Sequence, residues 1–163
     1  MALGTVIRSV SAPANFPRGI AFTGRALWVD DQGTDIIYQL DPRTGAVIRS
    51  LAAPSTFSHG LAFEGRSIWV CDDGAGVIYQ LDPRTGAVIR SLADPSTATA
   101  GLCYAGRFLW VSQYDTALIY QLDPRTGDVI RSVSSPAAVP TGLAFDGRFL
   151  WVSDYPSGLT YQV

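Results

Sequence analysis

Short runs of apolar residues, several alternating with polar ones, recur along this chain, broken by Gly, Pro, Asp and Ser. That spacing predicts strands about four to six residues long, and no stretch sustains the 3.6-residue period of an amphipathic helix. Residues 19–51 illustrate the unit. Gly19 to Phe22 reads as a first strand and Thr23-Gly24 as a two-residue hairpin turn. Residues 26–30 read as a second strand and 31–34 as a loop. Residues 35–40, rich in β-branched and aromatic side chains, form a third strand. Asp41-Pro-Arg-Thr-Gly45 is a turn: Asp caps its own backbone, Pro presets φ, and Gly permits positive φ. Residues 46–51 form a fourth strand, and a Pro-containing linker, 52–59, leads to the next unit.

The unit repeats. Trp28, Trp69, Trp110 and Trp151 are each 41 residues apart. Gly19, Gly60, Gly101 and Gly142 keep the same step, as do Tyr38, Tyr79, Tyr120 and Tyr161. The turn DPRTG occurs three times, at 41–45, 82–86 and 123–127. The repeats are 4–44, 45–85, 86–126 and 127–163, in a single domain over residues 1–163. Four-stranded units at this period are the mark of β-propeller blades. The expected fold is all-β, a propeller of four similar four-stranded blades. Gly4 to Val10 matches the fourth strand of the unit, and Thr160 to Val163 matches the third. The N-terminal strand is therefore expected to complete the last blade and close the ring. The alternative is two chains that exchange these strands and close as eight blades.

The segments GLAFDGRFLWVSDY and IYQLDPRTG, followed by VIRS, resemble the repeat of bacterial NHL/streptogramin-lyase-like and glutamine-cyclotransferase-like propellers, across the whole chain. The resemblance implies the propeller fold. It also implies that any enzymatic activity would use His and acidic residues near the ring centre. The chain has one His, so no catalytic set carries over residue by residue, and no catalytic residue is assigned.

The repeats also separate constant from variable columns. Trp, Val29 and Tyr38 with their copies read as core. Arg25, Arg66, Arg107 and Arg148 are expected to pair with the Asp of the DPRTG turns, which lie on the same face. The variable residues lie on the opposite face, in the loops after second strands and the linkers after fourth strands. Loops that diverge on a repeated scaffold are candidate binding elements. They supply the candidate ligand-binding residues Arg18, Asp31, His59, Asp72, Asp73, Gln113, Tyr114, Asp154 and Tyr155. Arg18, His59, Ala100 and Thr141 should ring the channel mouth.

Composition narrows the function classes. Hydrophobic residues make up 47% and charged residues 16%, which suits a packed core. A net charge of −2 argues against a nucleic-acid partner. No segment is apolar enough for a membrane span and none reads as a signal peptide, so the expectation is a cytoplasmic protein or an excised part of an exported one. Cys71 and Cys103 read as free thiols. Asp31, Asp72, Asp73 and Asp154 could hold a hard cation, but they come from three blades without a D-x-D-x-D-G loop. No metal or cofactor is assigned. The favoured function is a non-enzymatic scaffold or binding module for a peptide, carbohydrate or protein, as monomer or homodimer. Alternatives are a lyase- or cyclotransferase-like enzyme using His59 and Asp72 at the channel mouth, and an engineered or excised repeat without selected function.

Overall fold

The computed structural model describes residues 5–163 as an all-β propeller of four blades. The first blade is β1 (Pro17–Phe22), β2 (Leu27–Asp31), β3 (Ile36–Leu40) and β4 (Val47–Ala52). The second is β5 (Ser58–Phe63), β6 (Ile68–Asp72), β7 (Val77–Leu81) and β8 (Val88–Ala93). The third is β9 (Thr99–Ala105), β10 (Phe108–Gln113), β11 (Leu118–Leu122) and β12 (Val129–Ser134). The fourth is β13 (Pro140–Phe145), β14 (Leu150–Asp154) and β15 (Thr160–Gln162). Strands within each blade follow chain order and pair antiparallel. No helix among the described residues is long and apolar enough to cross a membrane.

The DPRTG turns work as their residues require. The carboxylate of Asp41 accepts the backbone N–H groups of Arg43 and Thr44, and Asp82 does the same for Arg84 and Thr85. Gly45, Gly86 and Gly127 take φ between +75° and +82°, a region costly for any residue with a Cβ. The expected pairing of the Arg25 column with these aspartates does not form. The carboxylates cap their own turns, and Arg25, Arg66, Arg107 and Arg148 are exposed. The arginines that bridge blades are those of the fourth strands. Arg49 donates to the carbonyls of Pro83 and Arg84, and Arg90 to those of Pro124 and Arg125.

Each blade junction repeats one contact. Trp28, Ile37 and Leu51 of the first blade pack on Leu61, Ile68, Val70 and Leu81 of the second. Trp69, Ile78 and Leu92 then pack on Leu102, Leu109, Val111 and Leu122. Trp110 and Ile119 pack on Leu143, Leu150 and Val152. The inner strands touch through backbone. A Cβ on Gly19 would lie 2.7 Å from the Leu61 nitrogen, and one on Gly101 would lie 2.8 Å from the Leu143 nitrogen. Small residues at the axis thus let successive blades approach closely.

Closure differs from the expectation. Among the described residues the fourth blade has three strands, and residues 5–10 pair with no strand. Gly4 lies outside the described residues. Inner strands pack in the series β1 on β5, β5 on β9 and β9 on β13, with no comparable packing of β13 on β1. The apolar packing shared by the three junctions leaves the angle between blades free, and here that angle leaves a seam.

Candidate functional site

The loops after second strands and the linkers after fourth strands gather at one end of the propeller. The inner strands begin there at one level, with Arg18, His59, Ala100 and Thr141 close to their starts. Several candidate residues are committed to building these loops. Asp31 accepts the backbone N–H of Phe16 and both the N–H and the hydroxyl of Thr34. Asp72 accepts the N–H groups of Gly74 and Ala75, and Asp154 accepts that of Val139. Buried Gln113 donates to Asp94 at 2.7 Å and to the Thr99 hydroxyl. These side chains fix the linkers onto the loops, with their carboxylates turned to backbone donors.

The remaining candidates face solvent around the mouth. The Tyr114 hydroxyl lies 3.2 Å and 3.3 Å from the two Asp73 oxygens, joining the loops of the second and third blades. Burial and the Asp73 charge raise the Tyr114 pKa, so the phenol keeps its proton and donates. Arg18 donates to the Gln32 side chain at 3.0 Å. His59 is half-buried. Burial depresses its pKa; Asp73 opposes that, Arg18 adds to it, and Asp72 opposes it more weakly. The imidazole is therefore neutral near pH 7, with a carboxylate and a guanidinium acting on it. Tyr155 is 80% exposed.

Asp30 was not singled out by the sequence, yet it is fully buried beside the same end. Ser58 donates to one of its oxygens at 2.7 Å. Burial raises its pKa to about 6, against the pull of that hydrogen bond. The repeat column holds Asp30, Cys71, Ser112 and Ser153, so one acid among small neutral residues was the available signal. Cys71 and Cys103 are buried free thiols; burial pushes Cys71 well up and Cys103 to about 12. Among the described residues, no group of three or more His, Cys, Asp or Glu side chains is placed to hold a metal ion.

Charge is segregated between the two ends. Of twelve arginines, only Arg18 lies at the loop end, which also carries Asp30, Asp31, Asp35, Asp72, Asp73, Asp94, Asp115 and Asp154. The others lie toward the hairpin-turn end, with Asp41, Glu64, Asp82, Asp123, Asp128 and Asp146. A net charge of −2 thus conceals an acidic loop face and a basic turn face.

The profile of a protein family described as glutamine cyclotransferase matches residues 1–153. The chain resembles the crystal structure of a Myxococcus xanthus glutaminyl cyclase with a TM-score of 0.78 and 14% identity, covering 91% of this chain and 65% of that one. It resembles a streptogramin B lyase with a TM-score of 0.67 and 18% identity, over 93% of this chain and 55% of that one. A computationally designed protein, Ika4, matches with a TM-score of 0.66 and 18% identity, over 99% of this chain and 98% of that one. At these identities the likeness is one of fold. The chain spans about two thirds of the cyclase and about half of the lyase. No curated protein matches.

Proposed function

The chain belongs to the glutamine cyclotransferase family, and on that premise we propose that it is a binding module whose acidic loop face takes a cationic, peptide-like ligand. The segregation of charge carries this reading. Eight carboxylates share this end of the propeller with one arginine and a neutral imidazole, so the face attracts positive charge. Asp73 would meet an ammonium group of the ligand. Tyr114 supplies a rigid contact surface with a polar tip. Asp31, Asp72 and Asp154 are held by backbone donors, which keeps that part of the acidic field in place without mobile side chains.

One observation favours a second reading, a cyclotransferase-like enzyme. His59 is the one imidazole in the chain, and its depressed pKa keeps it available as a base. A short peptide with an N-terminal glutamine and a free α-amino group separates the two. Calorimetry is expected to show binding that weakens at least fivefold in Asp73→Asn and Tyr114→Ala, and that is lost when the peptide amine is acetylated. Absence of binding, or binding indifferent to both changes and to acetylation, overturns the proposal. Ammonia release by the wild type that disappears in His59→Ala establishes the enzymatic reading instead.

A further inference from the structure

The two faces at the seam are the unused halves of the contact that the chain makes at each of its own junctions. Leu61 and Leu102 occupy one repeat column and are each 3% exposed, because the preceding blade covers them. Ile20, in the same column, is 65% exposed. Beside it, Val10, Pro17, Leu27, Val29 and Leu40 line an apolar cavity of about 330 Å³. At the other end, Trp151 is half-buried and Ala144 exposed, where Trp69 and Ala62 are buried in the second junction. The polar bridges show the same vacancy. Ser112 donates to the Pro140 carbonyl at 3.5 Å across the third junction, and the matching pair across the seam is Ser153 and Pro17, the same residue types.

The N-terminal segment is already placed for that contact. Arg8 reaches the Arg43 carbonyl at 3.4 Å, as Arg49 reaches that of Arg84 and Arg90 that of Arg125. Val10 lies against Gly45 as Leu51 lies against Gly86 and Leu92 against Gly127. Residues 5–10 therefore sit where the outer strand of a blade preceding the first would sit, but with no third strand beside them. Among the described residues, the outer edge of β15 has no strand beside it.

We propose that a second copy of this chain docks head to tail across the seam. Its fourth blade seats on the first blade of this copy, and its β15 pairs with residues 5–10. Ile37, Tyr38 and Gln39 stand opposite Leu51, Ser50 and Arg49 within the first blade. The same register puts Thr160 opposite Val10, Tyr161 opposite Ser9 and Gln162 opposite Arg8. The contact is heterologous, so two copies that satisfy it twice close a ring with no free edge. A second copy fits because this chain carries both halves of the junction, matched column by column. Val6 and Ile7, 76% and 99% exposed here, would come to the half-exposed state of Val47 and Ile48, which hold the same columns in a complete blade.

Native mass spectrometry and sedimentation of the full chain are expected to give a species at twice the 17.5 kDa chain mass. Ile20→Asp and Ala144→Arg each alter a side chain exposed in the single copy, so circular dichroism should be unchanged. Each variant alone is expected at the single-chain mass. An equimolar mixture is expected to recover the doubled mass, because one intact first-blade face meets one intact fourth-blade face. A wild type that stays at 17.5 kDa at every concentration overturns the proposal, as does a ladder of larger masses. Loss of the dimer in Ile20→Asp but not in Ala144→Arg, or a mixture of folded variants that stays single, also overturns it.

Discussion

Asp30 accepts a hydrogen bond from the Ser58 hydroxyl at 2.7 Å across the first blade junction, while its second oxygen is buried without a partner. Burial raises its pKa from 3.8 to about 6. The folded protein therefore holds this proton more tightly than the unfolded chain does. The contribution of Asp30 to stability is most favourable below its unfolded pKa and is lost as pH rises through about 6, a change on the order of 2–3 kcal/mol. Asp30→Asn keeps the acceptor for Ser58 and removes the titration. Urea titrations from about pH 4 to about pH 7.5 should show a smaller loss of stability in the variant than in the wild type, by about 2 kcal/mol. Equal losses in the two proteins would show that Asp30 does not titrate as described.

Gly86 ends a DPRTG turn at φ +76°, and a Cβ there would lie 3.4 Å from the Leu51 Cβ of the preceding blade. Gly86→Val is expected to destabilise the fold by about 1–3 kcal/mol through backbone strain and crowding. A denaturant midpoint equal to that of the wild type would contradict this.

Ala117 holds φ +52° in a column where Gly76 and Gly158 hold +64° and +66°. An L-residue with a Cβ pays roughly 1–2 kcal/mol there, and glycine returns part of that through its freer unfolded chain. Ala117→Gly should therefore stabilise the protein by about 0.5–1 kcal/mol. Thermal unfolding at a lower temperature in the variant would count against the assignment.

Arg90 and Arg107 look alike in sequence and differ in structure. Arg90 donates to two carbonyls of the next blade, whereas Arg107 has no such bridge and is exposed. Truncation of Arg90 to Ala should cost about 1 kcal/mol, discounted for exposure. Arg107→Ala should stay within about 0.5 kcal/mol of the wild type. Chemical denaturation of both variants side by side checks the contrast, and a larger cost at Arg107 would reverse it.

The blades were legible because one period carried the turn, the Trp column and the strand patterning together. The first unit places its second strand at 26–30, and the structure has it at Leu27–Asp31. Two things were not legible. Matching end segments announce that a strand is missing, but whether the chain bends far enough to join its own ends depends on blade angle, which leaves no mark on residue identity. The charge segregation was hidden for a different reason: Arg18 and Arg25 are seven residues apart and lie at opposite ends of the same hairpin. Signs that are mixed along the chain separate only once strand direction is assigned. At the loop end, Asp31 and Asp72 looked like free ligands in sequence; as caps for loop N–H groups they follow the rule that Asp favours its local backbone.

The sameness of the three junctions has a consequence for how this molecule can change in length. Adding or removing 41 residues adds or removes one blade and leaves a matched face on each side. An insertion of one residue within a strand turns every following side chain to the wrong face of the sheet, taking Trp out of the junction and a polar neighbour in. Growth is therefore counted in whole units, and tandem duplication within the coding sequence is read out as a longer run of blades joined by the same contact.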